Sequence, residues 1–390
     1  MNYIILKPGR EASLHRNHHW IFSGAILEHS GTIKDGELIK ILSHKKEILG
    51  FGHYSPSTIS VRILQFGGAE FAENFWLIKI SEALRLRKNL GLQGSEHTTA
   101  FRLVHGEGDG LPGLIVDLYE KNAVIQCHTV GMHTHIHEIA HALDSAFSFG
   151  LETIYDKSKE SLGGAAIAEN SFIKGNNAEC IIKENGHLFQ VNWVTGQKTG
   201  FFIDQRVNRK LLGEYSRGKS ILNLFCYSGG FSIYALNSGA SKVDSVDVSE
   251  KAMELTEANV VLNNKKDGIH TGFSSDVTSF LSSADEYDLI ICDPPAFAKS
   301  MNKRHQALNG YKNLNAKVIK KVKNGGLLFT FSCSQVMDRE LFQQTILAAA
   351  LESNRKIKII HHLSQSSDHP VNLYHPEGSY LKGLVLYIED

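Results

Sequence analysis

The chain has 390 residues, of which 42% are hydrophobic and 21% charged, values that are ordinary for a folded protein of two or three domains. Its 41 basic residues balance 41 acidic ones, which excludes a protein that coats a polyanion with its whole surface but leaves room for a local basic patch. The five cysteines are odd in number and form no Cys-x-x-Cys pair, which excludes a disulfide framework and indicates a reducing compartment.

The first 70 residues are predicted to form a small β-rich domain. Glycines separate short strand patterns at Tyr3–Leu6, Ile26–Glu28, Leu38–Leu42, Ile48–His53 and Ser60–Gln65. Basic residues alternate with aromatic ones between Lys7 and Phe22, a composition that suits an RNA-contacting barrel and equally a loop with an apolar plug. The N-terminus lacks a signal-peptide pattern, and no apolar run reaches membrane-spanning length. We therefore expect a cytoplasmic protein without a membrane partner.

Residues 71–180 are predicted to form a linker helix and a central α+β domain. The pattern gives a helix at Phe75–Leu90, two strands on either side of a glycine-rich turn in 101–117, a strand at Val124–His128, a helix at His133–Phe147 and a strand at Thr153–Tyr155. The glycine-rich turn is not a phosphate-binding P-loop, because no Lys-Ser/Thr pair follows it. His133, His137 and His141 would share one helical face, but no cysteine or carboxylate pattern accompanies them, and we predict no metal.

Residues 181–390 show strands and helices in alternation, which predicts a parallel, doubly wound α/β sheet. The predicted strands are Ser220–Phe225, Lys242–Val248, Ile269–Phe273, Tyr287–Cys292 and Leu327–Phe331. The predicted helices are Phe231–Asn237, Glu250–Asn263 and Glu340–Leu351. Ligands of such sheets bind at the carboxyl ends of the strands, so residues that follow the strands are the candidate site.

A cofactor pocket is predicted where the first of these strands turns into a helix. Gly229 and Gly230 allow a ligand to approach the helix N-terminus, Asp247 has the position of a ribose-binding acid, and Asp276 could meet an adenine amino group. The glycine spacing disfavours a nicotinamide, and the set fits S-adenosylmethionine. Gln205 or Arg206 could bind the methionine carboxylate; alternatively Asp204 caps a helix and Arg206 is exposed. The predicted cofactor-binding residues are Phe201, Gln205, Arg206, Asn223, Phe225, Ser228, Gly229, Asp247, Asp276 and Asp293.

The segment Asp293-Pro-Pro-Ala-Phe297 follows a buried strand that the prolines must end. An acid, two backbone carbonyls and an aromatic ring at a sheet edge are typical of methyltransferases that act on a nucleobase; an Asx turn after a strand is the alternative. Basic residues follow, and we expect them to bind substrate phosphates. The predicted substrate-binding residues are Pro294, Pro295, Phe297, Lys299, Lys303 and Arg304.

Cys333 follows the fifth strand and should share the sheet edge with Asp293. A thiolate that attacks C6 of cytosine makes C5 able to accept a methyl group, and elimination then frees the enzyme. Asp293 would hold N3 or the exocyclic amine of the base. The alternative for Cys333 is a small core residue, and Cys292 is assigned to packing.

The chain resembles the 23S rRNA (cytosine-5) large-subunit methyltransferase I family over nearly its whole length. The matching segments are Arg102–Val104, Asp109–Asp117, Gly200–Arg206, Leu222–Phe225, Ser228–Phe231, Asp293–Phe297, Phe331–Ser334, His369–Pro370 and Pro376–Gly383. The resemblance implies an N-terminal PUA barrel, a central α+β domain and a C-terminal Rossmann-like methyltransferase domain. It also implies S-adenosylmethionine as methyl donor, Cys333 as nucleophile and a cytosine of 23S rRNA, free or in a large-subunit precursor, as target.

Two other functions remain open from the sequence. An enzyme that methylates an exocyclic amine or a ring nitrogen could use the Asp-Pro-Pro-Ala-Phe segment without a covalent step and would not need Cys333. A non-catalytic RNA-binding or assembly factor could have kept the fold without binding the methyl donor. The sequence leaves open whether the chain forms a homodimer.

Overall fold

The computed structural model describes residues 1–148, 150–163, 168–264, 268–298 and 300–390. They form two compact units, each built from three stretches of chain. The first unit comprises Met1–Ile182, Val191–Ile203 and Ser367–Gly378, and the second comprises Lys183–Gln190, Asp204–Ser366 and Ser379–Asp390. Within the described ranges, none of the helices combines the length and the apolar character needed to cross a bilayer. The domain boundaries expected near residues 70 and 180 stay predictions.

A six-stranded sheet opens the first unit. Its elements are β1 (Tyr3–Leu6), α1 (Ala12–His15), β2 (Trp20–Phe22), β3 (Ile26–His29), β4 (Leu38–Leu42), β5 (Ile48–Tyr54) and β6 (Ile59–Phe66). The strand order is β2-β6-β5-β4-β1-β3, and only the pairing of β1 with β4 is parallel among the pairs described. Alternate residues of β4, Ile39 and Ile41, are fully buried, as the period-2 pattern predicts. The sequence analysis missed β2, which is only three residues long.

A five-stranded sheet and its neighbouring helices form the next part of the first unit. Its elements are α2 (Phe75–Asn89), β7 (Ala100–His105), β8 (Leu114–Tyr119), β9 (Asn122–Cys127), α3 (Val130–Thr134), α4 (Ile136–Ala146), β10 (Thr153–Asp156) and β11 (Ser171–Lys174). The strand order is β11-β10-β9-β8-β7. The helix predicted over 133–147 is present at Ile136–Ala146, but its predicted start is wrong: His135 lies outside helical geometry and separates α3 from α4. His133 contacts Asp156 at 3.0 Å, whereas His137 and His141 are exposed.

The second unit contains a seven-stranded sheet in the order β16-β15-β14-β17-β18-β20-β19. Strands β12 (Glu179–Glu184) and β13 (His187–Asn192) form a two-stranded sheet, and each has residues in both units. The elements that follow are α5 (Arg206–Tyr215), β14 (Ser220–Leu224), α6 (Gly230–Asn237), β15 (Lys242–Asp247), α7 (Glu250–Leu262), β16 (His270–Ser274), α8 (Val277–Ser283), β17 (Tyr287–Cys292), α9 (Arg304–Ile319), β18 (Val322–Ser332), α10 (Arg339–Ser353), β19 (Lys356–Leu363) and β20 (Lys382–Glu389).

Five strands of this sheet, β14 to β18, are parallel, as predicted, but the sheet is not parallel throughout. Strand β20 runs antiparallel to both β18 and β19. The sequence analysis missed these two C-terminal strands. It relied on the alternation of strands and helices, which an antiparallel pair of strands does not show.

Helices cover both faces of the sheet. Successive residues of a strand point to opposite faces. Leu222 and Leu224 of β14 pack in one core with Tyr311 of α9 and Phe342 of α10, while Asn223 donates a hydrogen bond from Nδ2 to Ser232 Oγ of α6 at 2.8 Å. The predicted doubly wound arrangement is therefore confirmed, and it brings the carboxyl ends of the parallel strands to one edge.

Candidate active site

The turn between β14 and α6 is held in a compact, strained conformation. Phe225, Tyr227 and Gly229 have positive φ angles of 58°, 48° and 71°. The carboxylate of Asp247, at the end of β15, fixes this turn: its Oδ2 accepts a hydrogen bond from the Tyr227 backbone N–H at 3.0 Å. Non-glycine residues adopt such angles only where the surroundings hold them, and backbone strain of this kind collects at binding sites.

Gly229 precedes α6, where the first backbone N–H groups have no partner within the helix. A Cβ atom at this position would lie 2.7 Å from Thr256 Cγ2, so only glycine fits without displacement. Thr256 in turn donates its hydroxyl to the carbonyl of Tyr227 at 2.8 Å, and Asn259 donates to the carbonyl of Ser228 at 2.8 Å. Helix α7 therefore supports the turn from behind and leaves a narrow cradle at the helix N-terminus.

A cavity of about 230 Å³ lies at the same edge of the sheet. Its lining includes Phe225, Asp276 and Phe297, three residues predicted from the sequence, together with Lys317 of α9. Asp276 caps α8, and the hydrogen bond from the Ser279 backbone N–H is the main cause that lowers the pKa of its carboxyl group. The carboxylate is thus ionised at neutral pH and stands at the rim of an aromatic-lined cavity.

Asp293 follows β17 and is half-buried. Its Oδ2 accepts a hydrogen bond from Gln205 Nε2 at 2.9 Å, and Gln205 Oε1 accepts one from Asn208 Nδ2 at 2.6 Å. Gln205 therefore orients the carboxylate. The alternative in which Arg206 is exposed is wrong, because that residue is buried at 4% exposure.

Cys333 follows β18, the strand that pairs with β17. The parallel register sets Cys292 beside Thr330, so Asp293 and Cys333 leave neighbouring strands at one edge, as predicted. The two loops are joined directly, since Ser334 donates its hydroxyl to the carbonyl of Ala298 at 2.8 Å.

Lys382 supports the loop of Cys333 from β20. It is buried at 3% exposure, and its ammonium group donates to the carbonyls of Ser334 at 2.7 Å and Tyr380 at 2.6 Å. Burial lowers the pKa of Lys382 to about 8, while the charge of Cys333 opposes this effect. A buried cation next to a thiol favours the thiolate, the reactive form.

Tyr311 of α9 is buried close to both predicted catalytic residues. Burial is the main cause that raises the pKa of its phenol, and the charges of Cys333 and Asp293 add to this effect, so the phenol stays protonated. Its ring packs edge-on against Phe297, with the centroids 4.6 Å apart. Sequence reasoning missed Tyr311 and Lys382, because helix α9 and strand β20 meet the site only in the folded domain. The Pro376–Gly383 segment was the only signal for Lys382.

The other cysteines are unsuited to nucleophilic chemistry. Burial raises the pKa of Cys127, Cys180 and Cys226 to about 12 and raises that of Cys292 further. Cys292 is fully buried, in agreement with its assignment to packing. Cys333 is half-buried at the sheet edge.

The predicted substrate-binding residues differ in their exposure. Pro294 is buried, whereas Pro295, Phe297 and Lys303 are exposed and Arg304 is half-buried at the start of α9. Lys299 lies outside the described residues.

For two predicted cofactor contacts the structure shows partners within the protein or burial. Phe201 is buried within the first unit, and the amide of Asn223 is engaged with Ser232. Their cofactor roles stay predictions.

Two family models match the sequence. A model described as S-adenosylmethionine-dependent methyltransferase matches residues 167–370, and a PUA-like domain model matches residues 4–66. A protein named ribosomal RNA large subunit methyltransferase I from Alteromonas mediterranea is 38% identical over 398 residues, which cover 99% of each chain. A protein of the same name from Pseudoalteromonas atlantica is 38% identical over 393 residues, which cover 98% of each chain.

Two solved structures share the fold over the whole chain. One, described as an S-adenosylmethionine-dependent methyltransferase from Streptococcus mutans, has a TM-score of 0.85 and 23% identity, and the match covers 99% of this chain and 100% of the other. The second, a methyltransferase complexed with S-adenosylhomocysteine, has a TM-score of 0.86 and 22% identity with the same coverage. The predicted fold class, with an N-terminal PUA-like domain and a C-terminal methyltransferase domain, is confirmed.

Proposed function

The chain belongs to the S-adenosylmethionine-dependent methyltransferases of the ribosomal RNA large subunit methyltransferase I family, and we propose that it methylates C5 of a cytosine in 23S rRNA. The proposed nucleophile is Cys333, which forms a covalent bond to C6 of the base. The observation that carries the proposal is the pair of Cys333 and Asp293 on joined loops at the ends of neighbouring parallel strands.

The residues at the sheet edge fit S-adenosylmethionine. The cradle at Gly229, which a Cβ atom would close, admits a ligand to the N-terminus of α6. Asp247 and Asp276 offer carboxylates at the ends of successive strands, and Phe225 offers an apolar surface for an adenine ring. S-adenosylmethionine supplies an electrophilic methyl group when it is bound there.

Cys333 would prepare the base for methylation. Its thiolate adds to C6 of cytosine, the C5–C6 double bond opens, and electron density moves to C5. After C5 has gained the methyl group, the C5 proton passes to water, the C6–sulfur bond breaks, and the thiolate is regenerated. Lys382 would stabilise the thiolate at the start and at the end of this cycle.

Asp293 would hold the cytosine while charge develops on its ring. The carboxylate can accept a hydrogen bond from the exocyclic amine, and Gln205 keeps it oriented before the base arrives. The exposed ring of Phe297, 41% accessible, offers a stacking surface for a base that has left its helix. Preorganised groups of this kind cost no reorganisation at the moment of reaction.

The target RNA is proposed from the relatives. Two relatives that match over nearly the whole chain are named for the large-subunit ribosomal RNA. The PUA-like domain at the N-terminus supports an RNA substrate, and Lys303 and Arg304 lie beside Phe297 in sequence, where substrate phosphates would pass. The homodimer considered from the sequence stays a prediction.

The proposal is tested with purified full-length protein, labelled methyl donor and 23S rRNA that lacks modifications. We expect 5-methylcytosine at a single site by nucleoside mass spectrometry, and a covalent protein–RNA complex when the RNA contains 5-fluorocytidine, which cannot lose a C5 proton. Cys333→Ala should abolish both signals, a loss of at least about a thousandfold in rate, or about 4 kcal/mol of transition-state stabilisation.

Cys180→Ser serves as the matched control, because that thiol lies in the first unit and its hydrogen bond to the Tyr119 carbonyl can be kept by a hydroxyl. It should leave turnover and the covalent complex unchanged. If Cys333→Ala keeps full turnover, the enzyme methylates an exocyclic amine or ring nitrogen without a covalent step, and the C5 proposal fails.

A further inference from the structure

Three side chains with metal-binding atoms meet in the first unit. His18 lies just before β2, and His375 and Glu377 come from the returning segment Ser367–Gly378. One ligand atom of each residue lies within 4.8 Å of the other two. All three belong to the first unit, and none has a part in the methyl transfer proposed above.

The distances between these atoms are close to those of a coordinated ion. His18 Nε2 lies 3.4 Å from Glu377 Oε1, and His375 Nδ1 lies 3.7 Å from Glu377 Oε2. A tetrahedral zinc ion bound at 2.0–2.2 Å by nitrogen and oxygen ligands separates them by about 3.4 Å. The two histidine–glutamate distances therefore lie within a few tenths of an ångström of this value, and the ligand atoms of the two histidines lie within 4.8 Å of each other.

His375 supplies an independent sign of a missing partner. Its side chain is only 1% exposed, and within the described ranges Nδ1 has no hydrogen-bond partner. Leaving a buried polar nitrogen unpaired is costly. The unpaired nitrogen faces the Glu377 carboxylate, where an ion would sit.

The charges around the cluster also favour a cation. Glu377 is half-exposed, and in the part of the chain that the structure describes it pairs only with His18 and His375, not with a lysine or an arginine. A second carboxylate, that of Glu107, interacts electrostatically with His375 and accepts a hydrogen bond from Trp20 Nε1 at 2.8 Å. Arg62 offsets part of the charge of Glu107.

We propose that His18, His375 and Glu377 bind a divalent transition-metal ion, with zinc as the expected occupant and solvent as the fourth ligand. Two imidazoles and one carboxylate are a common zinc ligand set, and three protein ligands leave one position open. His18 Nδ1 lies 3.2 Å from the backbone nitrogen of Trp20 and 3.4 Å from its carbonyl oxygen, and these contacts hold the ring on the side opposite Nε2. The ion would fasten the returning segment to the strand β2.

The test is a titration of zinc into full-length protein that has been stripped with a chelator, followed by calorimetry. We expect one tight site per chain and a rise in Tm on loading. His375→Ala and Glu377→Gln should each weaken that site at least tenfold and remove the rise in Tm. Glu377→Gln keeps the size of a half-exposed side chain, so it reports on the ligand even if His375→Ala folds poorly.

The double variant His137→Ala/His141→Ala is the matched control, because these exposed histidines lie one turn apart on α4 and are not part of the cluster. It should keep the tight site and the rise in Tm. Zinc affinity that is equal in wild type and Glu377→Gln, or a site that disappears in the α4 variant, would overturn the proposal.

Discussion

At the scale of single residues, Lys382 and His53 are buried side chains whose protonation the fold controls. The ammonium group of Lys382 is fixed by two backbone carbonyls next to the Cys333 loop, and its pKa of about 8 leaves it charged at pH 7. His53 stacks against His135 with ring centroids 5.2 Å apart, and burial lowers its pKa to about 3. The first residue bears on catalysis and the second on stability.

We predict that Lys382→Met lowers the rate of methyl transfer at pH 7 roughly tenfold, about 1.4 kcal/mol, because the thiol of Cys333 loses a neighbouring cation. The rate of the variant should recover partly at higher pH, where a thiol ionises without help. The measurement is the pH dependence of single-turnover rates. Lys382→Arg, which keeps the charge, should retain the wild-type rate at pH 7. Equal profiles for wild type and Lys382→Met would contradict the role assigned to the cation.

For His53, the lowered pKa determines how the stability of the protein changes with pH. Between pH 6.5 and about 3 the unfolded chain binds a proton at His53 that the folded protein does not bind. The stability that the neutral ring contributes is therefore fully present above pH 6.5 and is lost as pH falls. The contribution from pH 7 to pH 5 is about 2 kcal/mol. In urea unfolding, His53→Gln should lose about that much less stability than wild type over this range. A pH dependence that is identical in the two proteins would refute the assignment.

At the scale of elements, the turn before α6 and the start of α9 are the parts of the second unit that we expect to bind ligands. The turn combines positive φ angles with the Asp247 anchor and the close approach of Thr256. The start of α9 follows the Asp293 loop and presents Lys303 and Arg304. Each element can be tested against a control that has the same local chemistry elsewhere.

We predict that Gly229→Ala weakens binding of S-adenosylmethionine at least tenfold, since the new methyl group meets Thr256 and the turn must move. Gly218 is the control: its φ angle is also 71°, but a Cβ atom there would meet nothing within 4 Å. Gly218→Ala should therefore show the strain of a left-handed alanine, about 1 kcal/mol of stability, without loss of affinity. Calorimetric titration of the methyl donor and thermal unfolding separate the two effects.

For α9, Lys303→Glu together with Arg304→Glu should weaken RNA binding and reduce the slope of log affinity against log salt by about 1.4, the value for two phosphate contacts on a single strand. The control is Lys320→Glu, an exposed lysine at the other end of the helix, which should leave the slope unchanged. Filter binding at several salt concentrations gives both slopes. If the double variant and Lys320→Glu show the same slope, Lys303 and Arg304 do not contact the RNA.

At the scale of the whole molecule, the C-terminal 24 residues contribute to both units. Segment Ser367–Gly378 completes the first unit, where the buried guanidinium of Arg87 donates to the Asp368 carbonyl at 2.8 Å and pairs with Asp109. Strand β20 completes the second unit and lies between β18 and β19. Neither unit is therefore a continuous piece of chain.

Deletion of residues 367–390 should consequently destabilise both units. Arg87 would lose a buried acceptor, and β18 would expose an unpaired edge. Hydrogen–deuterium exchange should show faster exchange in β7 and in β18. Asp368→Ala in the full-length chain removes the acceptor of the Arg102 backbone N–H and should affect β7 while leaving β18 protected. Unchanged protection of either strand after the deletion would contradict the prediction.

The sequence by itself determined the parts of this protein whose signals are local. Period-2 and period-3.6 patterns located most strands and helices, the prolines after Asp293 ended β17, and the residues after parallel strands shared one sheet edge, because parallel strands end together. The tertiary structure alone decided which distant side chains meet. Lys382 and Tyr311 reach Cys333 only because β20 and α9 pack beside β18, and His18 reaches His375 and Glu377 across more than 350 positions of chain. Contacts of that kind leave no periodic trace in a sequence, because they depend on how whole elements pack rather than on any residue's neighbours along the chain.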